Sequence, residues 1–365
     1  MAKTIKATEM HDILVGATFL GAGGGGSPED GVKLIKELEA LGKAEARLID
    51  PKEMADDDWA FFVAMVGAPK SIKECQSFPE TLASFELIQG LAAVTGRKFK
   101  YLMPGEIGGF NTLVPIYVAA LKGVPVVDAD GCGRAVPEFA TTLYNTGRVP
   151  NTPFTMAGPN GDGLIINLSD PLNHSNVETI ARHVCMAYGM RASFCGYPVT
   201  KAMILDDLVP NSVSMCLKVG EAFRASRDIG QLAKALSEAV KAKELFLGQI
   251  SNIEVKTVGG FDLGITTIRG QGAYSGQSVT IGVKNENIIL RDHKGEVVVT
   301  VPDLIALVES KALKPLSNAD TQVGQEVALF GLNAPANWFK TPKGYDCWRH
   351  ILEKFDYQGG YVPVK

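Results

Sequence analysis

The sequence predicts an α/β protein in which a parallel-sheet N-terminal domain is joined to a smaller β-barrel or β-sandwich C-terminal domain. Two observations lead there. Between residues 60 and 128, strand-length apolar runs alternate with helix-length segments, the pattern of parallel strands joined by right-handed crossovers. After residue 250 the runs become short and rich in Val, Ile and Thr, with polar turns between them, which suits hairpins. The expected domains are 1–245, rejoined by 335–365, and a β-rich unit over 246–334.

The elements follow in order. Met10, Ile13, Leu14, Ala17 and Leu20 recur at helical spacing and stop at Gly21. After Gly23 to Gly26, Ser27 reads as an N-cap with Pro28 at the first helical position and Glu29 and Asp30 in the first turn, opening a helix to Ala40. Strands are expected over 60–66 and 98–103, with a helix over 78–95 between them. A buried helix begins near Asn111, and 124–128 is a short buried strand. Helices are expected over 175–188, 212–223 and 230–244. Strands follow over 251–258, 262–270, 278–284, 286–292 and 296–301. Residues 302–308 read as a helix-like turn, and 322–330 as a last strand.

Composition excludes several classes of function. The 365-residue chain carries a formal net charge of −4, with no basic block of the kind that nucleic acid attracts. No apolar run approaches the ~20 residues of a membrane helix, and Glu9 and Asp12 interrupt what would be a signal peptide. Six cysteines at 75, 132, 185, 195, 216 and 347 are scattered, without a Cys-x-x-Cys pair. Reduced thiols in a cytoplasmic protein are the simplest expectation.

The chemistry concentrates in 104–138, where Glu106, Asn111, Asp128, Asp130, Arg134 and Glu138 crowd into glycine-rich loops at strand ends. In parallel sheets the ligand crevice lies beyond those ends. Glu106, Asp128 and Asp130 are therefore candidate catalytic or metal-binding carboxylates. Loop capping is the plainer alternative for any one of the aspartates. Arg134 offers a bidentate clamp for an acidic group, or else neutralises Glu138 and Asp130. The loop Gly23, Gly24, Gly25, Gly26 and Ser27 can bring backbone N–H groups to an anion at a helix N-terminus, though it lacks the Lys-Ser/Thr ending of a phosphate loop. No nucleotide is therefore expected. Cys132 lies beside Asp128 and Asp130, which oppose thiolate formation, so it is read as a spectator. His183 and His293 are read as structural; His174, at a helix start, is a further candidate ligand for a divalent metal such as zinc, although no strong zinc spacing exists.

Three ordered segments, Leu20 to Ser27, Pro104 to Asn111 and Asp128 to Glu138, resemble the S-methyl-thiohydantoin desulfurase family, with Val301-Pro302-Asp303-Leu304 fitting its C-terminal domain. The resemblance covers nearly the whole chain and implies an α/β domain followed by a β-rich one. It implies a small five-membered cyclic amide as substrate, hydrolysed to hydantoin and a thiol. Asp128 or Asp130 would activate water, with or without a metal, while Glu106 and Asn111 orient the ring. Arg134 would hold an acidic substituent, with Glu138 and the glycine loop completing the binding surface. Relatives often carry Met where this chain has Cys132, which further weakens a cysteine nucleophile. The alternative is a non-catalytic, ligand-binding or regulatory partner of a hydantoinase or oxoprolinase, and a homo-oligomer is compatible with either.

Overall fold

The computed structural model describes residues 2–67, 72, 75–96, 98–258 and 260–365. Its first half contains strands β1 (Lys3–Lys6), β2 (Glu45–Ile49), β3 (Asp58–Gly67), β4 (Lys98–Met103), β5 (Val126–Val127), β6 (Phe154–Ala157), β7 (Gly163–Ile166) and β8 (Arg191–Thr200). These form one sheet in the order β1-β2-β5-β4-β3-β8-β6-β7. The central four strands, β2, β5, β4 and β3, pair in parallel. The flanks pair antiparallel, so the sheet is mixed rather than wholly parallel.

The longer helices of this half are α1 (Ala7–Leu20), α2 (Pro28–Ala40), α3 (Pro79–Thr95), α4 (Leu113–Lys122), α5 (His174–Ala187), α6 (Ser212–Ala225) and α7 (Ile229–Val240). Their starts follow from local chemistry. The Ser27 hydroxyl accepts from the Glu29 N–H at 3.3 Å, with Pro28 inside the first turn. Asn173 caps α5, and Asp228 caps α7. Helix α4 stops at Gly123, which takes a left-handed conformation at φ 69°. Strand β3 lies between β4 and β8, and its run from Ala60 to Met65 is buried on both faces.

The second half is a single eight-stranded antiparallel sheet: β9 (Lys243–Val258), β10 (Phe261–Gly270), β11 (Ser278–Lys284), β12 (Glu286–Arg291), β13 (Val297–Thr300), β14 (Leu304–Glu309), β15 (Lys314–Leu316) and β16 (Glu326–Leu332). The order is β13-β12-β11-β10-β9-β16-β14-β15. The segment expected to be a helix-like turn is strand β14, paired antiparallel with β16 from Leu304↔Leu332 to Glu309↔Val327.

Strand β14 is apolar on both faces for a reason. Leu304, Ala306 and Val308, with Ala328, Phe330 and Leu332 of β16, pack into the core that holds α1 and α6. Ile305, Leu307, Val327 and Leu329 point the other way, into the second sheet's own core. Phe19 of α1 makes edge contacts with Phe330 at 5.8 Å and with Phe223 of α6 at 5.6 Å. The two sheets are thus joined through a shared apolar layer. The chain end returns to the first half, where Trp338 and Trp348 are buried with Phe62 and Met103.

Candidate functional site

The loop that leaves β4 opens toward the second sheet, and a cavity of about 180 Å³ lies between them. Such a volume is below the ~300–1,000 Å³ of drug-sized sites and suits a compound of few heavy atoms. One wall is the glycine loop, Gly23 to Ser27. Another is formed by Glu106, Asn111, Val136 to Phe139 and Tyr144. Helix α5 contributes Glu178 and Arg182, and the second sheet adds Asp262, Asn285, Glu286 and Asn318.

Glu106 follows the end of β4 and is fixed by two donors. The Asn111 amide Nδ2 donates to its Oε1 at 2.9 Å, and the Val136 backbone N–H to its Oε2 at 2.9 Å. Asn111 is itself oriented, because its Oδ1 accepts from the Met65 N–H on β3 at 3.0 Å. Burial nevertheless pushes the Glu106 carboxyl above the ordinary carboxylate range, against the pull of those donors. A carboxylate that faces a cavity, is held rigidly and is poised upward suits proton transfer.

Glu178 and Glu138 are paired as well. Glu178 accepts from the Phe139 N–H at 3.0 Å and from Arg182 Nε at 2.7 Å. Glu138 takes Lys284 Nζ on one oxygen and His350 Nε2 on the other, the latter at 2.8 Å. Arg182 and Lys284 both lie over the Phe261 ring, 4.4 and 4.3 Å from its centre. Phe62, Phe139 and Tyr144 supply an aromatic floor, with Phe62 and Tyr144 centred 5.6 Å apart.

The glycine loop is a junction as well as a wall. The Gly25 carbonyl accepts from the N–H groups of Phe110 and Asn111, at 3.0 and 3.1 Å, which ties the loop to the Glu106 segment. The Gly23 carbonyl accepts from the Asn318 N–H at 2.8 Å, and the Ala22 carbonyl from the Asn287 N–H at 2.9 Å, tying it to the second sheet. The Gly24 N–H is turned back to the Gly21 carbonyl. A Cβ at Gly24 would collide with the Glu286 carboxylate, and one at Gly25, where φ is +75°, with the backbone of Gly108.

Of the residues singled out from sequence, Gly23 to Ser27, Glu106, Asn111 and Glu138 are brought together here. Asp128, Asp130, Arg134 and His174 do not line this cavity. Asp128 accepts from both the N–H and the hydroxyl of Ser214, in the first turn of α6. Asp130 is fully buried and holds the N–H groups of Cys132 and Gly133 at 2.8 Å each. That is the loop-capping role of aspartate. Burial raises the Asp130 carboxyl to about 7.

Arg134 is neither a clamp nor a partner for the acids near it in sequence. Its guanidinium is buried and donates to the carbonyls of Ala135, Pro302, Asp303 and Asn287 at 2.8–3.1 Å. It fastens the 131–135 loop to the second sheet. Burial pushes the Cys132 thiol well above its ordinary range, and the Asp130 and Glu106 charges add to this. His174 Nδ1 pairs with the Tyr197 hydroxyl at 2.9 Å beneath the first sheet.

Asp128, Asp130 and His174 are the sequence's candidate ligands for a divalent ion. These side chains serve separate partners, and among the described residues no three His, Cys, Asp or Glu are grouped so as to hold a metal. The donor set does not fit a zinc site.

Sequence reading missed the contributions of α5 and of the second sheet. Glu178 and Arg182 stand four apart on one helix face, a spacing that could have been noticed. Asn285 falls in a polar turn between expected strands and Glu286 opens the expected strand 286–292, and neither carries a chemical signature in the sequence. Only the docking of the two sheets brings them to the cavity.

No curated protein matches the chain. A crystal structure of a protein from Chromobacterium violaceum is 24% identical, with a TM-score of 0.87 over 100% of both chains, a likeness that shows the fold. Among the described residues no helix is long and apolar enough to cross a membrane. A family model for the S-Me-THD-like N-terminal domain matches residues 8–168, and one for the S-Me-THD-like C-terminal domain matches 172–364. Those models divide the chain before β8, whereas the first sheet's hydrogen bonding continues through it. Together they span nearly the entire sequence, and the chain belongs to the S-Me-THD-like family.

Proposed function

We propose that the protein hydrolyses S-methyl-thiohydantoin-type cyclic amides, giving a hydantoin and a thiol. Family membership supports this substrate class, and the observation that carries the chemistry is Glu106, held by Asn111 and Val136 at the wall of a small cavity. In this reading the Glu106 carboxylate takes a proton from water as its oxygen attacks the ring carbon that bears sulfur. The same carboxyl then returns the proton to sulfur as the carbon–sulfur bond breaks and the carbonyl forms, the second water proton ending on the ring nitrogen. Asn111 is a positioning residue that keeps Glu106 aimed. The aromatic floor of Phe62, Phe139 and Tyr144 receives the flat ring, and no step is routed through a metal.

The test is direct. Wild-type protein is incubated with S-methyl-thiohydantoin in ¹⁸O-water, free thiol is titrated, and the product is weighed by mass spectrometry. Thiol release with one ¹⁸O in the new carbonyl is expected. Thermal stabilisation by hydantoin with no thiol released would instead identify a non-catalytic binding partner.

A further inference from the structure

Glu286 is an acid in the cavity wall that the chemistry above leaves unused. It opens strand β12, is 3% exposed, and lines the same cavity as Glu106 from the opposite sheet. Its Oε2 is buried without a hydrogen-bond partner among the described residues. Among the described residues, Tyr144 is the other cavity-lining residue whose buried polar atom, its hydroxyl, lacks a partner. A buried polar atom left unpaired in this way is costly unless a ligand completes it. Gly24 leaves the room that the Glu286 carboxyl occupies, since any side chain there would strike it.

The charged groups around Glu286 are Glu106, Arg134 and Lys284. The Glu106 charge disfavours ionisation of Glu286. The two cations favour it, but Arg134 is committed to four carbonyls and Lys284 to Glu138. Burial outweighs both, and the Glu286 carboxyl is pushed well above the ordinary range. Glu106 and Glu286 thus differ in a specific way. Two N–H donors from other residues stabilise the Glu106 anion, whereas among the described residues none meets Glu286 Oε2, and the backbone N–H that favours the Glu286 charge is its own. Where two acids share a cavity, the one better supplied with donors holds the charge and the other holds the proton.

We infer that Glu286 is an uncharged carboxylic acid that donates its proton to the ring of the bound cyclic amide, acting as the acid partner of Glu106. This rests on the hydrolase reading and deepens it. The carbon attacked is isothiourea-like, doubly bonded to a ring nitrogen. As water adds and Glu106 takes its proton, Glu286 gives its proton to that nitrogen. When Glu106 protonates the departing sulfur and the carbon–sulfur bond breaks, the hydroxyl proton of the intermediate returns to Glu286. One water is consumed, one thiol leaves, and both acids are restored.

The test is infrared difference spectroscopy on the full chain with ¹³C-labelled glutamate carboxyls, in wild type, Glu286→Gln and Glu106→Gln, without and with hydantoin. A protonated-carboxyl band is expected at neutral pH in wild type and in Glu106→Gln, lost in Glu286→Gln, and shifted by hydantoin. Thiol release by Glu286→Gln should fall on the order of 10²-fold, with hydantoin affinity held within a few-fold. Should Glu286→Gln not fold, survival of the band in Glu106→Gln and its shift on binding still decide the matter. Absence of the band, no shift with hydantoin, or full turnover by Glu286→Gln overturns the inference. A band that shifts with hydantoin in a wild-type protein that releases no thiol refutes the hydrolase reading and leaves Glu286 as a ligand-binding acid.

Discussion

Gly24 and Glu286 meet across the boundary between the two sheets, the carboxyl of one occupying the space that a side chain on the other would need. The glycine run therefore does more than provide a loose turn. Each of its residues is pressed against a different neighbour, and Gly24 admits the acid that the proposed chemistry uses.

Substitution of the loop should separate these roles. Gly24→Ala must displace a side chain, and we expect it to cost about 1–3 kcal/mol of stability and to lower thiol release. Gly25→Ala must displace the Gly108 backbone and adopt φ +75°, so it should be the more destabilising of the two. Urea denaturation of both variants measures the order, and equal losses would argue against these packing roles.

Arg134 should behave as a fastener. Its loss leaves four buried carbonyls without their donor, and Arg134→Met is expected to cost about 3–5 kcal/mol in urea denaturation. Arg134→Lys should recover little, because a point charge cannot serve carbonyls arranged around a planar fork. A stable Arg134→Lys protein that has lost only its affinity for acidic ligands would restore the substrate-clamp role.

Cys132 should prove chemically inert. Its thiol is buried and pushed well above its ordinary range. Iodoacetamide at neutral pH should leave it unmodified in the native protein, as read by peptide mass spectrometry, and Cys132→Ala should retain thiol release. Rapid alkylation with loss of activity would return it to the list of nucleophiles.

His174 gives a pH signature. Burial lowers its folded value to about 4 from 6.5, so the unfolded chain binds the proton first and stability is lost as pH falls through that window. Asp130, raised to about 7 from 3.8, acts oppositely over the same range, its contribution being lost as pH rises. The two slopes offset each other, at up to about 1.4 kcal/mol per pH unit each. His174→Gln should remove one of them. Its stability in urea should fall relative to wild type as pH rises from 4 to 6.5; parallel curves would mean that the ring is not held neutral.

The helices were legible because their caps and periods are local. Ser27-Pro28 and the apolar spacing of α1 mark α1 and α2 without any tertiary information. Strand β8 was not, since Gly196 and Pro198 interrupt it and Tyr197 has φ 55°. Strand β14 was misread because burial on both faces erases the alternation that identifies a strand. At the cavity, the dense 104–138 segment supplies Glu106, Asn111 and Glu138, but its density alone could not sort its charges. Asp130 and Arg134 look as reactive as Glu106 until their hydrogen bonds are seen. Glu286 is invisible for the opposite reason, since 180 residues separate it from the acid it faces.

The most direct test of the account is thiol release from S-methyl-thiohydantoin by Glu106→Gln. The variant keeps the side-chain shape and should still bind hydantoin, while its turnover falls by about 10²–10⁴-fold relative to wild type. Turnover equal to wild type would contradict Glu106 as the base and with it the mechanism proposed for this cavity.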